Sequence, residues 1–100
     1  MPYEICIGVC VTHPEGYARY RAAIVPFLRK QGGEFTYDFE VSAVLKKPTE
    51  APINRVFTLR FPTKAGRDAF LGDPEYQAVE KQHFVPSVSA STTIAEYERP

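Results

Sequence analysis

The side chains best suited to moving protons near neutral pH in this sequence are two histidines, His13 and His83. His13 stands between an alternating apolar run and a Pro-Glu-Gly helix start. His83 precedes Phe84 and a stretch rich in Val, Ser and Thr. If the strands beside them are neighbours, the two imidazoles approach at one edge of a sheet and form a catalytic pair, with the adjacent helix start favouring an anionic ligand. The structural alternative is a capping His13 and a hinge His83. Zinc sites show three or four ligands at recognisable steps, and two histidines without such partners make no metal signature. No metal and no cofactor is expected.

Tyr17, Tyr37 and Tyr76, with Tyr20, are the candidates for the wall of a ligand pocket between helices and sheet, where aromatic rings commonly line small-molecule sites. The same stripe reads equally as core. Asp38 and Glu40 share a strand with Tyr37. Alternation turns Tyr37 toward the helices and the two carboxylates toward the opposite face, where Arg60 is the cation expected to pair with them. Cys6 and Cys10 fall on one face of one strand, about 13 Å apart at 3.3 Å per residue, too far for a disulfide. They read as small fillers. No nucleophile elbow, phosphate loop or dinucleotide fingerprint is present.

The elements that must position these residues follow from periodicity. Tyr3 to Thr12 alternates, with Tyr3, Ile5, Ile7, Val9 and Val11 on one side. Pro14-Glu15-Gly16 opens a helix carrying Tyr17, Tyr20, Ile24, Phe27 and Leu28 on one stripe; Pro26 should kink it and Gly32-Gly33 end it. A long strand is expected from Glu34 to Leu45, a hairpin loop over Lys46 to Pro52, and a third strand from Ile53 to Phe61 whose core side holds Ile53, Phe57, Leu59 and Phe61. Thr63 caps a helix through Phe70, and Asp73-Pro74-Glu75 restarts one that docks by Tyr76 and Val79. Val85 to Tyr97 favours a last strand.

The order β-α-β-β-α-β is the split βαβ plan, with the first and third strands central and the helices on one face. The fold class is α+β, ferredoxin-like, with a four-stranded antiparallel sheet, in one domain spanning residues 1–100. The uncovered face, holding Cys6, Cys10, Val56, Thr58, Ala90 and Ile94, is too apolar for water. A second copy packed sheet to sheet would cover it.

The stretch from Pro14 to Ala23, then Gly32-Gly33, Phe61-Pro62 and Asp73-Pro74-Glu75-Tyr76-Gln77, resembles the bacterial family called domain of unknown function 1330. The resemblance covers nearly the whole chain and implies membership of the dimeric α/β barrel superfamily, whose members include cofactor-free monooxygenases and many proteins without assigned activity. It implies a homodimer but no reaction, because one fold hosts many functions. His13 stands where family members often carry Asp, and the chain has no Trp.

Twelve basic residues balance twelve acidic ones without a cluster, so neither nucleic acid nor an anionic membrane is an expected partner. The apolar run at the start is broken by Gly8 and ended by Thr12-His13-Pro14, too short for a membrane span, and the expected location is cytoplasmic. Two functions stay open. The first is a dimer binding a small organic metabolite, or acting on it without a cofactor, with His13 and His83 as proton-transfer groups and Tyr17, Tyr37 and Tyr76 as pocket wall. The second is a non-catalytic dimerisation or interaction module.

Overall fold

The computed structural model describes residues 1–100. Strand β1 (Tyr3–Val11) leads into helix α1 (Pro14–Lys30), followed by β2 (Glu34–Glu40), β3 (Arg55–Phe61), α2 (Lys64–Leu71), α3 (Pro74–Val79) and β4 (Val88–Glu98). The sheet order is β2-β3-β1-β4 and every pair is antiparallel, which is the expected ferredoxin-like plan with β1 and β3 central. The helix-side residues of β1 and β3 meet a stripe of α1: Ile5, Val9, Phe57, Leu59 and Phe61 are buried against Tyr17, Tyr20, Ile24 and Leu28. Full burial of each such side chain contributes about 1.5–3 kcal/mol.

Local chemistry sets the element ends. His13 caps α1, its Nδ1 accepting from the Gly16 N–H at 3.0 Å, with Pro14 at the first helical position. The helix runs on through Pro26 to Lys30, and Gly32, at φ 70°, turns the chain into β2. Thr63 and Asp73 cap α2 and α3 through the N–H groups of Gly66 and Glu75. From Glu80 to Phe84 the chain after α3 winds as a wider π turn, and a short 3₁₀ turn over Val85–Ser87 precedes β4. The last strand therefore starts at Val88 rather than Val85.

Three further departures from the sequence expectation share a cause in strand pairing. β2 ends at Glu40, not Leu45, because its only neighbour, β3, begins at Arg55. Asn54 is held against β1 instead: its N–H donates to Val9 O, its Oδ1 accepts from the Val11 N–H at 2.7 Å, and its Nδ2 donates to Val11 O at 2.9 Å. Ile53, just before it, consequently turns to the open face, where it packs at Gly8 beside Ile94.

The second departure is a bulge in β2. Phe35 pairs with Leu59 but Tyr37 pairs with Thr58, so Thr36 is the extra residue, and parity reverses from there on. Tyr37 lies on the open face, not under the helices, and stacks on Phe39 with ring centroids 5.7 Å apart. Asp38 points under the helix layer and takes Arg21 and Arg55; Arg60 has no part in it. The third is a shift in β4, where Cys6 pairs with Ala95 but Ile7 with Thr93, leaving Ile94 unopposed. Ser91, Thr93 and Glu96 thereby reach the helix side.

Candidate functional site

The helix layer leaves a cleft of about 210 Å³ over β1 and β4. Its floor is Ile5, Ile7, Phe57 and Leu59, and its walls are aromatic: Tyr20 from α1, Phe70 from α2, Tyr76 from α3 and Phe84 from the π turn. The rings are mutually packed, with centroids 4.2 Å apart for Phe70 and Tyr76 and 4.8 Å for Tyr20 and Phe84. Ser91 and Thr93 of β4 make the polar mouth.

Three polar side chains form a hydrogen-bonded chain across this wall. Tyr20 Oη and Tyr76 Oη are 2.9 Å apart, and Tyr76 Oη donates to Glu80 Oε2 at 3.3 Å. Tyr76 and Glu80 are four residues apart, so one helical turn brings both to the cleft side, and the π turn that begins at Glu80 carries Phe84 there too. Burial pushes the Tyr20 and Tyr76 phenols well above the usual tyrosine range, and the nearby Glu80 carboxylate acts in the same direction. Both rings therefore stay protonated at neutral pH and act as hydrogen-bond groups, not as phenolate bases.

A second polar set closes the other end. Arg67 of α2 reaches Glu96 of β4 through Nη1 at 3.1 Å, lies 3.1 Å from Asp68 Oδ1 through Nε, and donates from Nη2 to Tyr3 Oη at 3.2 Å. Its charge is thus matched by two carboxylates. This pair ties helix to edge strand across the cleft.

The residues singled out from the sequence are distributed unevenly around this cleft. Tyr76 lines it. Tyr17 is fully buried behind it, its ring 6.1 Å from that of Tyr20 and 6.5 Å from that of Phe84. It faces instead a shallow hollow with Arg21 and Arg55, and its buried hydroxyl has no hydrogen-bond partner. Tyr37 is 58% exposed on the far side of the sheet. The three tyrosines do not share a pocket.

His13 and His83 come to one corner through their backbones. The Thr12 and His13 N–H groups donate to Ser87 O at 2.9 and 3.1 Å, and Ser87 Oγ donates to the His83 carbonyl. The His13 ring is engaged as the cap of α1, no hydrogen bond joins the two imidazoles, and neither lines the cleft. Glu80, Arg67 and Glu96 are the cleft residues that sequence reading passed over. The Tyr76-Glu80 spacing was the available signal for the first; the other two reach the cleft only through tertiary packing and the β4 shift.

Both cysteines are free thiols, and burial pushes the Cys6 thiol up, away from reactivity. No group of three or more His, Cys, Asp or Glu side chains is placed to hold a metal. No helix is long and apolar enough to cross a membrane.

The family described as domain of unknown function DUF1330 matches residues 3–96. No curated protein matches the sequence. Among solved structures, a protein of unknown function from Rhodopseudomonas palustris is similar with a TM-score of 0.77 at 21% identity, over 99% of this chain and 82% of that one. A dabb family protein with a ferredoxin-like fold from Mesorhizobium loti is similar with a TM-score of 0.64 at 15% identity, over 99% and 97%. A dimeric ferredoxin-like protein of unknown function from Thermobifida fusca gives 0.62 at 11%, over 99% and 92%. At these identities the likeness is one of fold.

Proposed function

The chain belongs to the DUF1330 family, and from that premise we propose that it binds a small organic molecule between its helices and its sheet, working as a homodimer paired through the open sheet faces. The observation that carries the binding reading is the cleft itself: an aromatic wall crossed by the Tyr20, Tyr76 and Glu80 chain. A mostly apolar concavity with a few convergent polar groups is the usual form of a small-molecule site.

The homodimer reading rests on the opposite face. Tyr37, Phe39 and Ile94 are each at least half exposed there, beside Val56 and Ile53. A contiguous apolar surface of this kind marks an interface, and the Thermobifida fusca protein of the same fold is described as dimeric. Two free thiols on one strand fit a reducing, cytoplasmic setting.

Thermal-shift screening of neutral aromatic and carbonyl-bearing metabolites tests the binding reading, since a ligand at a hundred times its Kd adds about 2.7 kcal/mol of stability. Thr93→Trp is the control. Thr93 is an exposed residue at the mouth, so the indole fills the cleft without disturbing the core. Shifts seen in the wild type and lost in T93W support the cleft. A screen with no stabiliser leaves the non-catalytic dimerisation module as the function.

A further inference from the structure

The hydrogen-bonded chain in the cleft has a direction, and the direction selects a ligand. Tyr76 has one hydroxyl proton, and a carboxylate offers only lone pairs, so that proton goes to Glu80 Oε2. The 2.9 Å contact between the two phenols then has one possible donor, Tyr20. Tyr20 Oη has thereby spent its proton, and what it presents to the cleft is lone pairs alone. The structure gives it no further partner. Its unused lone pair is therefore open to a donor from a ligand.

The ends of the cleft restrict the charge. Glu80 and Glu96 line it, and its one cation, Arg67, is paired with Glu96 and lies beside Asp68, its Nε–H buried out of reach and without a hydrogen-bond partner. No free cation remains for a carboxylate or phosphate.

We propose that the ligand of this cleft is a neutral hydroxyl compound, a phenol or enol on a ring-sized apolar body, whose O–H donates to Tyr20 Oη. This rests on the cleft reading above and narrows it to one chemical class. An ether or ketone of the same shape meets lone pairs with lone pairs. An anion meets the Glu80 carboxylate and an arginine whose charge is already matched.

Three naphthalenes test it on the intact protein: 2-naphthol, its methyl ether 2-methoxynaphthalene, and the anion 2-naphthoate, with binding followed by the intrinsic fluorescence of the probe. The expected order is 2-naphthol at least about tenfold tighter than the ether, the equivalent of one good hydrogen bond, and 2-naphthoate weakest. Tyr20→Phe should abolish the preference for the naphthol while retaining affinity for the ether. Glu80→Gln should shrink the preference to less than about threefold, because an amide can donate as well as accept and lets the chain reverse. Should Y20F fail to fold, E80Q carries the same comparison. Equal binding of naphthol and ether by the wild type, or a preference that survives both substitutions, overturns the assignment while leaving the cleft reading intact. If none of the three binds, the cleft reading falls, and this inference with it.

Discussion

Arg55 grips Asp38 with two parallel hydrogen bonds, Nε to Oδ1 and Nη2 to Oδ2, each 2.8 Å long. The pair joins β3 to β2 beneath α1, and Arg21 of α1 contacts the same carboxylate while its guanidinium covers the Phe35 ring at 3.7 Å. One carboxylate thus fastens two strands and a helix. Bidentate geometry of this kind is among the stronger ion-pair arrangements.

Replacing that carboxylate should be costly. Asp38→Ala leaves two part-buried guanidiniums without their partner and is expected to destabilise by about 2 kcal/mol in urea unfolding at pH 7. The hydrogen bonds from Arg55 hold the Asp38 carboxyl below its ordinary value of 3.8, with Arg21 adding to the effect and burial opposing it. Its contribution is therefore complete above that value and is lost as pH falls through the lower, folded-state one. The stability gap between wild type and Asp38→Asn should be constant near neutrality and close below pH 3.8. A gap that closed at neutral pH instead would contradict the pairing.

The overall plan was legible in the sequence because it depends on periodicity and punctuation: Ile5, Val9, Phe57 and Leu59 alternate, Tyr17, Tyr20, Ile24 and Leu28 recur at helical spacing, and Pro14, Gly32 and Pro74 mark ends. What alternation could not show is an extra residue. Thr36 is β-branched and ordinary for a strand, yet its hydroxyl and the following Tyr37 N–H both go to Thr58 Oγ1, and the ladder slips by one. From that point every inference about sides inverted, so Tyr37 left the pocket and Asp38 entered the helix side. The cleft suffered the same way. Thr93 and Glu96 reach it only because Ile94 is skipped in the pairing with β1, a matter of two strands rather than one.

Alkaline titration should separate the buried tyrosines of the helix layer from the exposed ones. The Tyr20 and Tyr76 phenols are pushed up by burial from an ordinary value of 10.0, so the folded state holds their protons where the unfolded chain releases them. Their stabilisation is complete below pH 10 and falls as pH rises above it. Of six tyrosines, these two and the fully buried Tyr17, whose phenol burial also pushes up, are expected to ionise only together with alkaline unfolding, read as phenolate absorbance against circular dichroism. In Tyr76→Phe, stability at neutral pH should drop by about 1 kcal/mol. Early ionisation of all six would show that the phenol pair is open to water.

Oligomeric state tests the open face. Phe39 is 55% exposed within a subunit, so Phe39→Glu should change subunit folding little, while in a sheet-to-sheet dimer it buries a charge without a partner. Sedimentation velocity is expected to show a wild-type species of twice 11.3 kDa and a dimer dissociation constant at least about tenfold higher in F39E. A wild type that sediments as a single subunit at high concentration would refute the dimer.

Gly16 and Ser87 form the tightest joint between α1 and the turn that feeds β4. A Cβ built on Gly16 would collide with Ser87 Oγ and stand 2.7 Å from His13 Nδ1. Ser87 is itself buried, and it ties His83 by its hydroxyl and Thr12 and His13 by its carbonyl. Gly16→Ala must therefore displace the serine, the cap, or both, and is expected to cost about 1–3 kcal/mol even though alanine is the better helix former. Ser87→Ala removes the colliding atom and one hydrogen bond, for about 1 kcal/mol alone. The double variant should then be more stable than the sum of the singles predicts, by about 1 kcal/mol. The surviving conflict with His13 Nδ1 prevents full rescue, and His13→Ala in the same cycle isolates it. Additivity across the Gly16 and Ser87 pair would mean that the two elements do not touch as described. The corner that gathers the two histidine backbones would then have no rigid support.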